Sequence, residues 1–314
     1  MARTVRGSLL DRAIARAVPL VPRAIVRAFA APYVAGVTLE EGVAKVQHLN
    51  RRGLHATVDI LGECVEDDSR HDAVVRQYKA LLDAIATHGL DANVSLKPSA
   101  FGSQTDWDAC EKAITAIREH ASSLDGFVRI DMEGATTTDD TLAMYRRLRA
   151  AGFSCTGVVL QSRLWRTLRD VDGLADLVPN VRLCKGIYLE PPHIGMQDYD
   201  AIRASFSDVL RRLLENGSYV GIATHDELLV VEALRIVREL GLPPDAYEFQ
   251  MLLGVREDLA QILACEHKVR IYVPYGSDAT AYSQRRMREN PAMAGLVAHA
   301  VMRNLMPNGR SSTQ

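Results

Sequence analysis

From about residue 55 onward, short runs rich in Val, Ile and Leu alternate with longer stretches that have a helical spacing of apolar residues. Eight of these runs are predicted to be strands: Ala56–Gly62, Asn93–Ser99, Phe127–Glu133, Thr156–Gln161, Val181–Tyr188, Val220–His225, Glu248–Gly254 and Lys268–Gly276. Several are continuously apolar, which is typical of parallel strands covered on both faces. Eight strand–helix units of about 30 residues each predict an α/β protein with a (β/α)8 barrel.

The segments between the strands are predicted to be helices. One set of apolar residues keeps a spacing of three to four: Val74, Tyr78, Leu81, Leu82 and Ile85. A second set does the same: Ala201, Ile202, Phe206, Val209, Leu210 and Leu213. Thr38 and Glu41 predict a capping box. Helix ends are predicted at four glycines: Gly89, Gly152, Gly217 and Gly241.

An open doubly wound sheet is the competing fold. Such a sheet usually carries a GxGxxG turn after its first strand. Here the first strand ends Asp59-Ile60-Leu61-Gly62-Glu63, without that turn. The barrel is therefore the favoured fold. We expect an N-terminal helical extension over residues 1–54, a catalytic barrel over 55–306 and a flexible tail over 307–314.

Composition excludes several classes of protein. The 314 residues are 47% hydrophobic with a net charge of −2, which excludes wholesale disorder and argues against a general nucleic-acid binder. No apolar run approaches the roughly 18 residues of a membrane span. The five cysteines form no CxxC pair, so we expect no metal site of that kind and a reducing, cytoplasmic location.

The N-terminus is rich in arginine and is interrupted by Pro19 and Pro22. Asp11 is the only acid among its first 30 residues. The arginines there are Arg3, Arg6, Arg12, Arg16, Arg23 and Arg27. A targeting peptide, a surface helix on anionic lipid and an amphipathic extension packed on the barrel all fit this pattern.

Polar residues cluster where the predicted strands end. They are Lys97, Asp131, Glu133, Gln161, Arg182, Lys185, Tyr188, Thr224, His225, Gln250, Tyr272 and Tyr275. The active sites of (β/α)8 enzymes lie at the carboxyl ends of the strands. Polar groups inside apolar strands are costly to bury without partners, so packing alone does not explain so many of them at one rim.

A predicted helix after the last strand carries a second polar cluster. It places Tyr282, Arg285, Arg286 and Glu289 on one face. Adjacent arginines beside a barrel rim suit bidentate capture of a carboxylate or a phosphate. The alternative is a solvated basic helix surface.

Seven segments in this order resemble the motifs of the proline dehydrogenase family, in its compact monofunctional bacterial form. They are Val94–Ser99, Arg129–Glu133, Val159–Gln161, Arg182–Tyr188, Ala223–His225, Tyr247–Leu252 and Tyr282–Arg286. The resemblance extends from about residue 33 to residue 290. Each segment coincides with a predicted strand end or with the last helix, so the set is specific although each motif alone is weak.

This resemblance implies a distorted TIM-type barrel with extra N-terminal helices and non-covalently bound FAD. The reaction it implies is oxidation of L-proline to Δ1-pyrroline-5-carboxylate, the first step of proline catabolism. A hydride passes from proline C5 to flavin N5, and the electrons pass to a membrane quinone, ubiquinone or menaquinone. A partner in the membrane implies peripheral contact at its inner face. No dedicated base for the amine proton is identified.

The resemblance also implies residue roles. Lys97, Arg285 and Arg286 hold the substrate carboxylate, with Asp131 and Glu289 as neighbouring acids, while Arg182 lies near flavin N5. Tyr188, Tyr272 and Tyr282 form an aromatic wall, and Tyr282 favours proline over hydroxyproline. The flavin shell consists of Met132, Gln161, Arg182, Lys185, Gly186, Ile187, Tyr188, Thr224 and His225. Tyr275 has no counterpart in the family pattern.

Two other functions remain open from the sequence. The first is a barrel aldolase that uses Lys97 or Lys185 as a Schiff-base nucleophile. The second is a membrane-surface binding protein with an inert barrel, which would bind through the basic N-terminal segment.

Overall fold

The barrel predicted from the sequence is present. The computed structural model describes residues 32–62, 68–188 and 190–277. Its strands are β1 (His55–Ile60), β2 (Ala92–Leu96), β3 (Val128–Ile130), β4 (Thr156–Gln161), β5 (Asn180–Cys184), β6 (Tyr219–Ala223), β7 (Tyr247–Leu252) and β8 (Val269–Tyr275). They form a closed parallel barrel in chain order, with β8 pairing with β1.

Helices surround the barrel. They are α1 (Leu39–Asn50), α2 (Asp68–Thr87), α3 (Trp107–Ser122), α4 (Thr138–Ala150), α5 (Thr167–Leu174), α6 (Tyr199–Glu215), α7 (Glu227–Glu239) and α8 (Glu257–Leu263). The predicted apolar faces are buried as expected, with Leu81 on α2 and Phe206 on α6 both almost fully inaccessible. The four predicted helix-ending glycines all have positive φ.

Seven of the eight strands end one to four residues earlier than predicted, and β2 ends at Leu96 instead of Ser99. β3 ends at Ile130 instead of Glu133, and β5 ends at Cys184 instead of Tyr188. After β5 the chain turns at Gly186, whose φ of +97° is incompatible with an extended strand. Residues 185–188 and 190–198, which we call the rim loop, therefore form a loop at the carboxyl end of the barrel instead of a strand extension.

Helix α1 covers the outer face between β8 and β1. Its capping box is confirmed: Glu41 N donates to Thr38 Oγ1 at 3.3 Å, and Thr38 N donates to Glu41 Oε2 at 3.0 Å. Gly42, Val46 and Leu49 form its buried face. A Cβ atom at Gly42 would lie 3.1 Å from the ring of Tyr275, so this tyrosine packs between the barrel and α1 and is not a rim residue.

Several predicted features lie outside the described residues. These are the arginine-rich N-terminus, the tail over 307–314 and the cluster Tyr282, Arg285, Arg286 and Glu289. Within the described part of the chain, no helix combines the length and the apolar character that a membrane span requires.

Candidate active site

The interior of the barrel is polar at its carboxyl end. Arg182 on β5 donates to Ser95 on β2, to Asp131 just after β3 and to Gln250 on β7, so its guanidinium crosses the barrel interior. The interior of a (β/α)8 barrel is usually filled by Val, Ile and Leu. Charged groups at these positions are costly unless they are paired and hydrogen-bonded, and here they are.

Lys97 lies at the centre of an ion-pair cluster. Its Nζ is 2.5 Å from Asp59 Oδ2 and 3.5 Å from Asp131 Oδ2, and it donates to the Tyr272 hydroxyl at 2.8 Å. The Tyr272 hydroxyl donates to Asp59 Oδ2 at 2.7 Å. Pro98 follows Lys97 and begins a short 3-10 helix, which ends β2 and leaves the lysine at the rim.

Arg182 completes the cluster from the opposite side of the barrel. Its Nη1 donates to Asp131 Oδ1 at 2.8 Å, and its guanidinium carbon lies 5.3 Å from the centroid of the Tyr272 ring. Ser95 Oγ also donates to Asp131 Oδ1, at 2.6 Å. Asp131 therefore lies between two cations, Lys97 and Arg182, and fixes their separation.

The charges in this cluster are stable near neutral pH. Burial raises the pKa of Asp131, but the charges of Arg182 and Lys97 outweigh burial and hold this pKa below its usual value. Burial lowers the pKa of Lys97, but Asp59 and Asp131 outweigh burial and raise this pKa above its usual value. Burial and the two carboxylates raise the pKa of the Tyr272 hydroxyl, so it stays protonated and can donate.

These protonation states bear on the aldolase alternative. A Schiff-base lysine needs a lowered pKa so that its amine is neutral and nucleophilic. Lys97 has a raised pKa, and Lys185 forms an ion pair with Asp226 at 3.0 Å. Lys97 is therefore not prepared for nucleophilic attack, and the amine of Lys185 is engaged by a carboxylate.

A second polar layer lies beneath the cluster. Glu248 Oε1 accepts from Arg270 Nε at 2.7 Å and from Gln250 Nε2 at 2.6 Å. Arg129 lacks an acidic partner in the described structure and donates to the carbonyl oxygens of Val158 and Asn180. Burial, followed by repulsion from Arg182, lowers the pKa of Arg129 to about 9.

The two layers together carry a positive excess. The described interior groups include four bases, Lys97, Arg129, Arg182 and Arg270, and three acids, Asp59, Asp131 and Glu248. A low-dielectric cavity with excess positive charge attracts anions to its mouth. The site is therefore suited to a negatively charged ligand.

The rim loop lies beside the cluster and carries several of the predicted cofactor residues. A Cβ atom at Gly186 would lie 2.9 Å from Gln161 Oε1, so only glycine brings the backbone this close to β4. Lys185 Nζ donates to Asp226 and to the Tyr199 hydroxyl, and Ile187 is 46% exposed. This part of the rim therefore offers a backbone without a side chain at Gly186, a cation and an exposed apolar side chain.

The remaining predicted cofactor residues lie on neighbouring strand ends. Met132 is buried directly after β3, and the Tyr188 carbonyl accepts from Arg163 Nη1 at 3.4 Å. Thr224 Oγ1 accepts from Asp226 N, and His225 Nε2 accepts from Leu252 N at 2.9 Å. These last two hydrogen bonds fix the chain after β6 and show that both side chains have a structural role.

Asp59 and Ser95 were not identified as site residues from the sequence. Asp59 is the closest acid to Lys97, and the Tyr78 hydroxyl from α2 donates to it at 3.2 Å. The available signal was a carboxylate near the carboxyl end of β1, a strand that also contains Thr57. Asp131 was expected to neutralise Lys97 and Arg286, and among the described residues its partners are Lys97 and Arg182.

Comparison with known proteins gives a consistent result. The family model described as proline dehydrogenase matches residues 43–299. Proline dehydrogenase 1 of Bacillus subtilis subsp. natto is 36% identical over 272 residues, which cover 86% of this chain and 90% of the relative. Proline dehydrogenase of Deinococcus radiodurans is 36% identical over 276 residues, which cover 86% and 89%.

Solved structures resemble the barrel as well. Proline utilization A (PutA) from Bdellovibrio bacteriovorus, inactivated by N-propargylglycine, superposes with a TM-score of 0.79 at 23% identity over 84% of this chain. The same protein from Corynebacterium freiburgense gives a TM-score of 0.74 at 21% identity over 98% of this chain. This chain spans only 32% and 36% of these longer proteins, and the likeness concerns the fold.

The family match covers the whole barrel, from within α1 to beyond β8. The two bacterial relatives match over nearly their full length. The cluster of Lys97, Asp131 and Arg182 lies on three of the segments in which the sequence resembles the family motifs. By sequence, fold and extent of the match, this chain belongs to the proline dehydrogenase family.

Proposed function

We propose that this chain oxidises L-proline to Δ1-pyrroline-5-carboxylate at the carboxyl rim of the barrel, with non-covalently bound FAD as its cofactor. The observation that carries the proposal is the placement of Lys97 and Arg182 on either side of Asp131 at the mouth of a proline dehydrogenase barrel. The two polar layers together hold four bases against the three acids Asp59, Asp131 and Glu248, so the barrel interior keeps positive charge for an anionic substrate and an electron-rich cofactor.

The residues around the rim fit such a cofactor. Gly186 places a backbone without a side chain beside Gln161, and Ile187 presents an exposed apolar surface. The Nε atom of Arg163 is buried beside this loop and has no hydrogen-bond partner among the described residues. An unpartnered buried donor next to an open backbone is typical of a site that is completed by a ligand.

The residues that would hold FAD are those of the rim: Met132, Gln161, Arg182, Lys185, Gly186, Ile187, Tyr188, Thr224 and His225. When bound, FAD supplies the hydride acceptor, its N5 atom, for the hydrogen on C5 of proline. Arg182 would hold a fixed positive charge near N5, and Asp131 would hold Arg182 in place. Together they contribute orientation and electrostatics.

Lys97 would bind the substrate carboxylate together with Arg285 and Arg286, with Glu289 as a neighbouring acid. Lys97 supports this role because its amine is protonated and half-accessible at the rim. Tyr272 and Tyr282 would then contact the pyrrolidine ring and exclude water.

The proline amine would react in its neutral form. We assign no side chain as its base, and water is the proposed acceptor of the amine proton. We further propose that the electrons pass to a membrane quinone, ubiquinone or menaquinone. The chain would then contact the inner face of the cell membrane peripherally, and the basic N-terminal segment is available for anionic lipid.

An anaerobic spectrum of the purified chain tests this function. We expect a yellow protein whose flavin absorbance is bleached by L-proline, since proline is the proposed electron donor. D-Proline and L-alanine serve as controls and should leave the spectrum unchanged. A colourless protein that cannot be reconstituted with FAD would contradict the cofactor assignment, and a flavin that L-proline does not bleach would contradict the substrate assignment.

A further inference from the structure

Gln250 links the two polar layers of the barrel interior. Its Oε1 accepts from Arg182 Nε at 2.6 Å, and its Nε2 donates to Glu248 Oε1 at 2.6 Å. Gln250 is only 4% exposed and Glu248 only 1%. Hydrogen bonds that involve ionised groups are among the strongest in proteins, so both ends of this amide are firmly held.

The neighbouring elements hold Glu248 in turn. Arg270 on β8 donates to its Oε1 at 2.7 Å, and the Tyr219 hydroxyl on β6 donates to its Oε2 at 3.0 Å. The charges of Arg270 and Lys268 and the hydrogen bonds from Arg270 and Gln250 outweigh burial and lower the pKa of Glu248 to about 2. Because Glu248 is an ionised acceptor, it can only bind the amino end of the Gln250 amide.

This constraint fixes the direction of the amide. With its NH2 group on Glu248, Gln250 must present its carbonyl oxygen to Arg182, where an acceptor is needed. Gly221 on β6 leaves the space for this arrangement, because a Cβ atom there would meet the Gln250 amide before any other group. Arg182 is thereby held by Gln250 at Nε and by Asp131 at Nη1.

We propose that Gln250 is a positioning residue, oriented by Glu248, that holds the Arg182 guanidinium in its reactive placement. This inference rests on the proposed function only for the role of Arg182 near the cofactor. Among the described residues, the hydrogen-bond partners of the Gln250 side chain are Arg182 and Glu248, and Lys97, which is assigned to the substrate carboxylate, is not one of them. Its loss should therefore affect the chemical step more than substrate binding.

The first measurement does not depend on flavin. In protein labelled with 15N-arginine, the Arg182 Nε–H signal, assigned with Arg182→Lys, should be protected from solvent exchange in the parent chain. Gln250→Met should remove this protection. Gly221→Ala displaces the Gln250 amide without altering Arg182 itself. It should also reduce the protection of the Arg182 Nε–H from solvent exchange.

The second measurement is steady-state kinetics with L-proline. We expect kcat to fall about 10-fold to 100-fold in both variants, as for other residues that orient a reactive group, while KM changes less than about twofold. Gln261→Met is the matched control, because Gln261 accepts from Arg52 Nη2 at 3.1 Å on the protein surface. It should leave both kinetic parameters and the Arg182 signal unchanged.

Each outcome decides the proposal. An Arg182 signal that stays protected in Gln250→Met and in Gly221→Ala would overturn it. So would equal losses in kcat, proline affinity and FAD affinity, since these would indicate a general loss of structure. If the parent chain binds no flavin or does not oxidise proline, the proposed function fails, and the exchange measurement still decides the role of Gln250.

Discussion

At the scale of single residues, large polar side chains inside this barrel are accommodated opposite glycines. A Cβ atom at Gly157 would collide with the Arg129 guanidinium, and one at Gly221 would collide with the Gln250 amide. A barrel interior holds a fixed volume of side chains, so a long polar residue on one strand requires a small residue on its neighbour. Polar chemistry at the rim is thus supported by glycines deeper in the barrel.

Glu248 makes the stability of the barrel depend on pH. Its pKa is about 2 in the folded protein against an ordinary value of 4.5, because Arg270 and its hydrogen-bond donors outweigh burial. A lowered pKa stabilises the fold above pH 4.5, and this stabilisation is lost as the pH falls towards 2. The shift corresponds to about 3 kcal/mol of unfolding free energy.

We expect Glu248→Gln to be less stable than the parent chain at pH 7, with the difference shrinking between pH 5 and pH 2.5. Urea unfolding across this range measures it. Glu266→Gln, at an exposed glutamate, is the control and should differ from the parent by a constant small amount. A difference for Glu248→Gln that does not change with pH would contradict the assigned ion pair.

The sequence allowed prediction of those site residues that lie where strands end. Lys97, Asp131 and Arg182 were found because polar groups at the carboxyl ends of barrel strands indicate an active site. Asp59 was missed although it lies one residue before the end of β1, because only contacts across the barrel reveal its role. Its partners Lys97 and Tyr272 are 38 and 213 residues away along the chain.

At the scale of elements, all eight strands were predicted, but seven of them end earlier than expected, with β3 three residues and β5 four residues short. Both predicted strands continued into polar or glycine-containing residues that belong to rim loops. The turn at Gly186 depends on its approach to Gln161 on β4, which local sequence periodicity does not report. Strand cores depend on local pattern, whereas their ends depend on packing against neighbouring loops.

The rim loop is held to the neighbouring strand ends by several hydrogen bonds. Glu190 Oε1 accepts from Ala135 N at 2.7 Å, at the start of a short 3-10 helix after β3. Trp165 N donates to the Ile194 carbonyl at 3.1 Å, and Met196 N donates to the Arg163 carbonyl at 2.8 Å. The Glu190 contact is the one among these that a side-chain substitution removes.

We expect Glu190→Ala to loosen the rim loop without unfolding the barrel. Loss of one hydrogen bond to an ionised acceptor costs about 1–2 kcal/mol, so amide exchange over residues 190–198 should accelerate roughly 5-fold to 30-fold. Hydrogen–deuterium exchange followed by mass spectrometry measures this. Glu111→Ala removes an acceptor of Arg147 on the outer surface and should leave exchange in the rim loop unchanged. Unaltered exchange in Glu190→Ala would show that the backbone contacts alone hold the loop.

At the scale of the whole molecule, a helix that precedes the barrel in the chain packs on β1 and β8, the two strands whose pairing closes the barrel. An α/β barrel with an N-terminal extension was predicted from the sequence, but not that α1 covers β8 and β1. The capping box of α1 was predicted, while β8, which forms part of the surface that α1 packs on, lies more than 200 residues away along the chain. Such a long-range contact has no local signature in one sequence.

Gly42→Val tests whether α1 supports closure of the barrel. The added side chain would meet the Tyr275 ring, since a Cβ atom at this position already lies 3.1 Å from it. Overpacking typically costs about 1–3 kcal/mol, which corresponds to a decrease in Tm of roughly 2–6 °C for a chain of this size. Ala44→Val places valine on the exposed face of the same helix and should lower Tm less.

Displacement of α1 should also affect activity, because α1 packs on the strands that carry Tyr272 and Asp59. The Tyr272 hydroxyl donates to Asp59 Oδ2 at 2.7 Å, and weakening this hydrogen bond should lower kcat/KM for proline. A Gly42→Val protein as stable and active as Ala44→Val would show that the barrel closes independently of α1.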